Sequence, residues 1–111
     1  MDLDTALAHV GGDRELLAEL VAIFLREYPV FLDSAKKAIQ AGDRAALELQ
    51  AHTFKGRLAF FGIRAMHDKA MDLESMARNG NLSGAMERLQ EIERSMQSIL
   101  PELENLSEKR Q

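Results

Sequence analysis

Apolar residues recur at intervals of three and four along most of this 111-residue chain, broken only at Gly11-Gly12, Gly42-Asp43, Gly62 and Asn79-Gly80-Asn81. Such intervals line up side chains on one face of an α-helix, and breaks this short leave successive helices only one arrangement, side by side and antiparallel. The longest stripe is Leu17, Leu20, Val21, Phe24, Tyr28, Phe31, Ala35 and Ile39. It keeps phase across Pro29, which predicts a kink in one helix rather than two helices. Leu47, Ala51, Phe54, Leu58 and Phe61 form the next stripe, and Met66, Ala70, Leu73 and Ala77 the one after it. The last runs from Leu82 through Ala85, Leu89, Ile92, Met96, Ile99 and Leu103 to Leu106, with Pro101 marking a kink or a restart. Asn81 reads as the N-cap of that helix. Ahead of all four lies a short stretch with Leu3, Leu7 and Val10, capped by Asp2 or Asp4 and too short to be stable alone.

The expected fold is therefore all-α: an antiparallel up-down four-helix bundle with a short additional N-terminal helix capping one end. The helices are expected over 3–10, 13–41, 44–61, 64–79 and 82–106, with a fraying tail at 107–111, all in a single domain spanning 1–111.

Composition narrows the function. Fourteen basic against 18 acidic residues give a net charge of −4, which offers no field for a phosphate backbone, so nucleic acid is not an expected partner. Without cysteine there is neither a disulfide framework nor a thiolate metal site. No tract is apolar enough to span a membrane, and the acidic start Met1-Asp2-Leu3-Asp4 is unlike a signal peptide, which together suggest a cytoplasmic protein, expected to be a monomer. No Glu-x-x-His pair occurs, so the bundle is not expected to hold a di-metal centre. The six methionines read as core filler, since Met66 and Met96 lie on apolar stripes.

One residue stands apart. At about 100° per residue, the stripe from Leu47 to Phe61 falls within roughly 80°, whereas His52, Lys55, Gly56, Ala59, Glu48 and Ala45 lie on an arc centred roughly 130° from the core direction. His52 is thus predicted to face outward, with Leu49 and Phe60 bordering its arc and forming an exposed strip suited to docking. Most lone histidines on helices are solvated or hydrogen-bonded bystanders, and His9 and His67 are read that way. At His52, an imidazole stands one turn before a lysine and beside a position without side-chain bulk, which is what accepting and passing on a phosphoryl group requires.

Ala51-His52-Thr53-Phe54-Lys55-Gly56, followed by Gly62, closely resembles the signature of histidine-containing phosphotransfer (HPt) domains of bacterial two-component phosphorelays. Gly11-Gly12-Asp13, the segment from Phe24 to Pro29, Ala41-Gly42-Asp43 and Leu73-Glu74 resemble further landmarks of that family, so the similarity covers nearly the whole chain. The resemblance implies that His52 is the phosphoacceptor, Lys55 the cation beside the phosphoryl group, and Gly56 the small residue that admits a partner's active site. Glu48, Leu49, Ala59 and Phe60 are expected in the partner-binding surface. The sequence departs from the family's usual small or polar residues after the glycine at Arg57, Leu58 and Phe60; Phe60 is expected to alter partner choice, while Arg57 lies on the flank opposite Lys55.

Solvated imidazoles are substantially neutral and nucleophilic near neutral pH, so no activating base is required. The ring nitrogen remote from the backbone, Nε2, is expected to attack a phosphoaspartate in line, while Nδ1 keeps its proton through a hydrogen bond to Glu48 or Glu74. Having no nucleotide-binding loop, the chain is expected to be a carrier without kinase activity or bound cofactor. The resemblance implies receiver domains of response regulators or hybrid kinases as partners, each bringing its aspartate and Mg²⁺. Two other readings are the phosphoacceptor domain of a chemotaxis-type histidine kinase and a non-phosphorylated helical adaptor for receiver domains.

Overall fold

The computed structural model describes residues 1–108. Five helices account for nearly all of them: α1 (Leu3–His9), α2 (Arg14–Ala41), α3 (Arg44–Phe61), α4 (Arg64–Arg78) and α5 (Ala85–Ser107). The last four form a ring in which α2 packs beside α3, α3 beside α4, α4 beside α5, and α5 returns to α2. At 28 residues and 1.5 Å per residue, α2 is about 42 Å long. That matches the 43 Å long axis of the molecule, so the bundle is one helix length tall.

Aspartates start three of the helices. Asp2, Asp13 and Asp43 each accept a hydrogen bond from the backbone N–H three residues on, at Thr5, Leu16 and Ala46. Each cap satisfies an otherwise orphan donor at the start of its helix. Of the two candidates for α1, Asp2 is the cap and Asp4 lies within the first turn.

The stripes lie where their spacing puts them. Leu47, Ala51, Phe54, Leu58 and Phe61 are all buried on α3, facing Leu17, Val21, Phe24 and Phe31 of α2 and the Met66–Ala77 stripe of α4. Phe54 is the keystone of α3. Its ring lies nearly parallel to those of Phe31 and Phe24 on α2, with centroid distances of 4.0 and 5.8 Å. Phe24 also meets Phe61 at 5.3 Å. Burying a side chain of this size stabilises the fold by about 1.5–3 kcal/mol, and the stack fixes the turn of α3 that carries His52.

Pro29 is exposed and α2 runs through it without a break. Water can satisfy the carbonyl of Leu25 that the proline leaves unpaired. Pro101 likewise lies inside one continuous α5, so of the two outcomes allowed there, a kink or a restart, the helix does not restart.

The start of α5 also departs from expectation. It begins at Ala85 rather than residue 82, because Asn81 uses its side chain to accept from the Ser83 N–H in a local turn, and Gly84 with φ of 82° occupies the N-cap position. Leu82 still packs on the core from that turn. At the other end Ser107 belongs to α5 and Glu108 forms its C-cap, so the fraying predicted from 107 does not begin there, and 109–111 lie outside the described residues.

The short α1 is fastened to the end of α3. Gly62, the C-cap of α3, has φ of 65°, and the Asp2 N–H donates to the carbonyls of Phe61 and Gly62 at 3.3 and 3.1 Å. A Cβ at Gly62 would come within 2.6 Å of the Asp2 Cβ, so both the backbone conformation and the close approach of α1 require glycine. No helix among the described residues is long and apolar enough to cross a membrane.

Candidate functional site

His52 projects from the middle of α3 with two-thirds of its side chain exposed, at 66%. Of the two acceptors expected for its Nδ1, the structure selects Glu74 on α4, with Nδ1 to Oε2 at 2.7 Å. A carboxylate only accepts, so Nδ1 carries the proton. In the neutral ring that leaves the lone pair on Nε2. Glu48, the other candidate, is occupied elsewhere, accepting from Arg78 Nε at 3.0 Å.

Glu74 is the centre of the arrangement. Its other oxygen, Oε1, accepts from Lys55 Nζ at 2.7 Å, and Arg78 Nη2 lies 3.3 Å from Oε2. Only 4% of Glu74 is exposed, although the charged ends of its neighbours reach the surface. The hydrogen bond from Lys55 holds the Glu74 carboxyl below the usual carboxylate range; burial opposes this and the bond from His52 assists it. Glu74 is therefore ionised at neutral pH.

The local sequence explains the placement. On α3, His52 and Lys55 are three residues apart and lie one above the other. On α4, Glu74 falls four residues after Ala70 and three before Ala77, at the edge of the buried stripe, where the alanines leave room for a carboxylate at the seam. The sequence offered Glu74 through the Leu73-Glu74 resemblance and its place on the neighbouring helix, but its choice of partner depends on the register between α3 and α4. Arg78, which ties Glu48 to Glu74, gave no such signal.

His52, Lys55, Glu74 and Arg78 line a shallow open recess together with Glu48, Leu49 and Ala45. Leu49 is 63% exposed at its rim. Ala59, one turn beyond Lys55, is also exposed. At Gly56 an added Cβ would meet nothing within 4 Å, so the glycine leaves bare helix backbone open to an incoming surface.

Past Gly56 the surface changes character. A groove between α2 and α3 is walled by Leu20, Ile23 and Phe60 over Phe24 and Phe61, with Glu27 and Arg57 at its margin. Arg57 lies on the flank opposite Lys55, its Nε 3.1 Å from Glu27 Oε1. Phe60 shares this groove rather than the His52 recess.

Comparison with known proteins agrees with the geometry. A family model described as the Hpt domain matches residues 19–106. The chain is also similar to the crystal structure of histidine-containing phosphotransfer protein B (HptB) from Pseudomonas aeruginosa PAO1, with a TM-score of 0.89 and 25% sequence identity. That likeness covers 98% of this chain and 95% of the other. No curated protein sequence shows a significant match.

Proposed function

The chain belongs to the Hpt domain family, whose members carry phosphoryl groups in phosphorelays, and on that premise we propose that His52 is the residue phosphorylated. The observation that carries this reading is an exposed imidazole whose Nδ1 proton is held by a buried, ionised carboxylate. Nε2 attacks the phosphorus of a receiver-domain phosphoaspartate in line; the N–P bond forms as the P–O bond to the aspartate breaks, and the aspartate leaves as carboxylate. The ring retains its Nδ1 proton and becomes a cation, which Glu74 stabilises across the 2.7 Å bond.

A cationic ring is in turn a good leaving group, so the same atoms run the step backward to the aspartate of a second receiver. Lys55, part-buried and held by Glu74 one turn away, places a positive charge near the equatorial oxygens. Glu48, Leu49 and Gly56 lie beside the acceptor as docking surface, Ala59 continues it one turn beyond Lys55, and Phe60 extends it along the neighbouring groove. Mg²⁺ belongs to the receiver's side, where it would neutralise phosphoryl oxygens. The role is that of a carrier rather than a kinase.

The test is incubation with a phosphorylated receiver domain. The wild-type chain is expected to acquire acid-labile, base-stable label and His52→Gln none. Equal labelling of His52→Gln would sink the assignment.

A further inference from the structure

We propose that His9, on α1, is a positioning residue for receiver docking that acts through Phe60; the proposal rests on the docking reading above. The final carbonyls of a helix have no partner within it, and α1 satisfies two of those at the end of α3. The Asp2 N–H reaches the Phe61 carbonyl at 3.3 Å, and His9 Nδ1 reaches the Phe60 carbonyl at 2.8 Å. A carbonyl only accepts, so this Nδ1 also carries its proton.

His9 is more than a cap. Its ring packs on the Phe60 ring with centroids 4.9 Å apart and a tilt of 36°. Phe61 meets Phe60 edge-on, at 5.2 Å and 81°. The half-buried Phe60 ring is thus held by one aromatic group from α1 and another from the core, and it walls the groove formed with Leu20 and Ile23. A side chain already ordered before binding spares the complex the loss of its rotamer freedom. In this way a helix that carries none of the phosphoryl-transfer groups sets the shape of the surface a receiver meets. His9, whose hydrogen bond alone would leave it a bystander, acquires a role through its ring.

The two contributions of His9 are separable. In His9→Phe an aromatic ring remains against Phe60 while the bond to the carbonyl is lost; in His9→Ala both go. Transfer from a phosphorylated receiver to the full chain is measured as KM and kcat, with melting temperature alongside. His9→Ala is expected to raise KM about threefold to tenfold with kcat unchanged, the size of effect an aromatic contact supports. His9→Phe is expected to restore KM although both variants melt below the wild type. A residue that only capped α3 would shift both variants alike, and that result would overturn the proposal.

Phe60→Ala separates the two layers of the reading. If it raises KM and His9→Ala does not, His9 has no positioning role and docking at the groove stands. If Phe60→Ala itself leaves KM unchanged, the groove is not where the receiver docks, and the proposal falls with it.

Discussion

Two seams flank α3, and they are built from opposite materials. The α3–α4 seam is charged: Glu74, nearly buried, gathers His52, Lys55 and Arg78, each at 3.3 Å or less. The α2–α3 seam is aromatic and aliphatic, with Ile23 40% exposed above stacked phenylalanines. Charge fixed in place favours a reaction whose ring and phosphoryl oxygens change charge, whereas exposed apolar surface supplies affinity without regard to the reacting atoms. On the proposed function, the difference divides the work of one helix: one side for transfer, the other for holding a partner. Gly56 lies where the two meet.

That division is best attacked by variants confined to one seam. Glu74→Gln keeps the shape of the carboxyl group but removes the charge opposite the phosphorylated ring, and kcat for transfer is expected to fall about tenfold to hundredfold, as for other partners that orient an imidazole. Rapid-quench kinetics should show KM nearly unchanged. Ile23→Asp brings a charge to an apolar docking surface and is expected to raise KM about tenfold. It should leave kcat alone, since Ile23 lines the groove on α2 whereas Glu74 lines the recess at His52. If Glu74→Gln acted on KM, or Ile23→Asp on kcat, the two seams would not be separate devices. Lys55→Ala is expected to slow kcat only about threefold to tenfold, because a part-exposed ammonium is screened by water.

The smallest effect concerns pH. Glu74 titrates in the fold below the ordinary carboxylate value of 4.5. Its contribution to stability is therefore fully present above that ordinary value and disappears as pH falls through the depressed one. Urea midpoints measured down through the acid range should fall more steeply for the wild type than for Glu74→Gln. The reverse case lies where α2 meets α5: burial, aided by Glu93, pushes the Tyr28 phenol up to about 12. The stability tied to Tyr28 is present below its ordinary value of 10.0 and is lost as pH rises toward the folded value.

The sequence carried most of this architecture because stripes and caps are local signals. Every residue of the stripe from Leu47 to Phe61 is buried, and the same spacing turned His52 outward. Position along one helix, however, says nothing about what the neighbouring helix brings alongside. Glu48 and Glu74 were both candidates for the His52 proton, and the sequence could not choose between them; the packing of α4 set the register, and Arg78 occupies Glu48. The same limit applied to His9, whose partner at Phe60 is 51 positions away. The misplaced start of α5 has a different origin: Asn81 has the chemistry of an N-cap but uses it in a turn one step too early, and Gly84 takes the position.

Phe54, wedged against two parallel rings of α2, has a consequence beyond stability. It ties the segment beneath His52 into a close-packed layer with α2, so on the proposed reading a phosphoryl group added at the surface meets a helix already braced from below. On that reading the message would be held as a covalent bond on one exposed ring. If His52 carries the phosphoryl group as proposed, the reversible step would run in whichever direction the relative amounts of the phosphorylated partners set, as for any reagent at equilibrium.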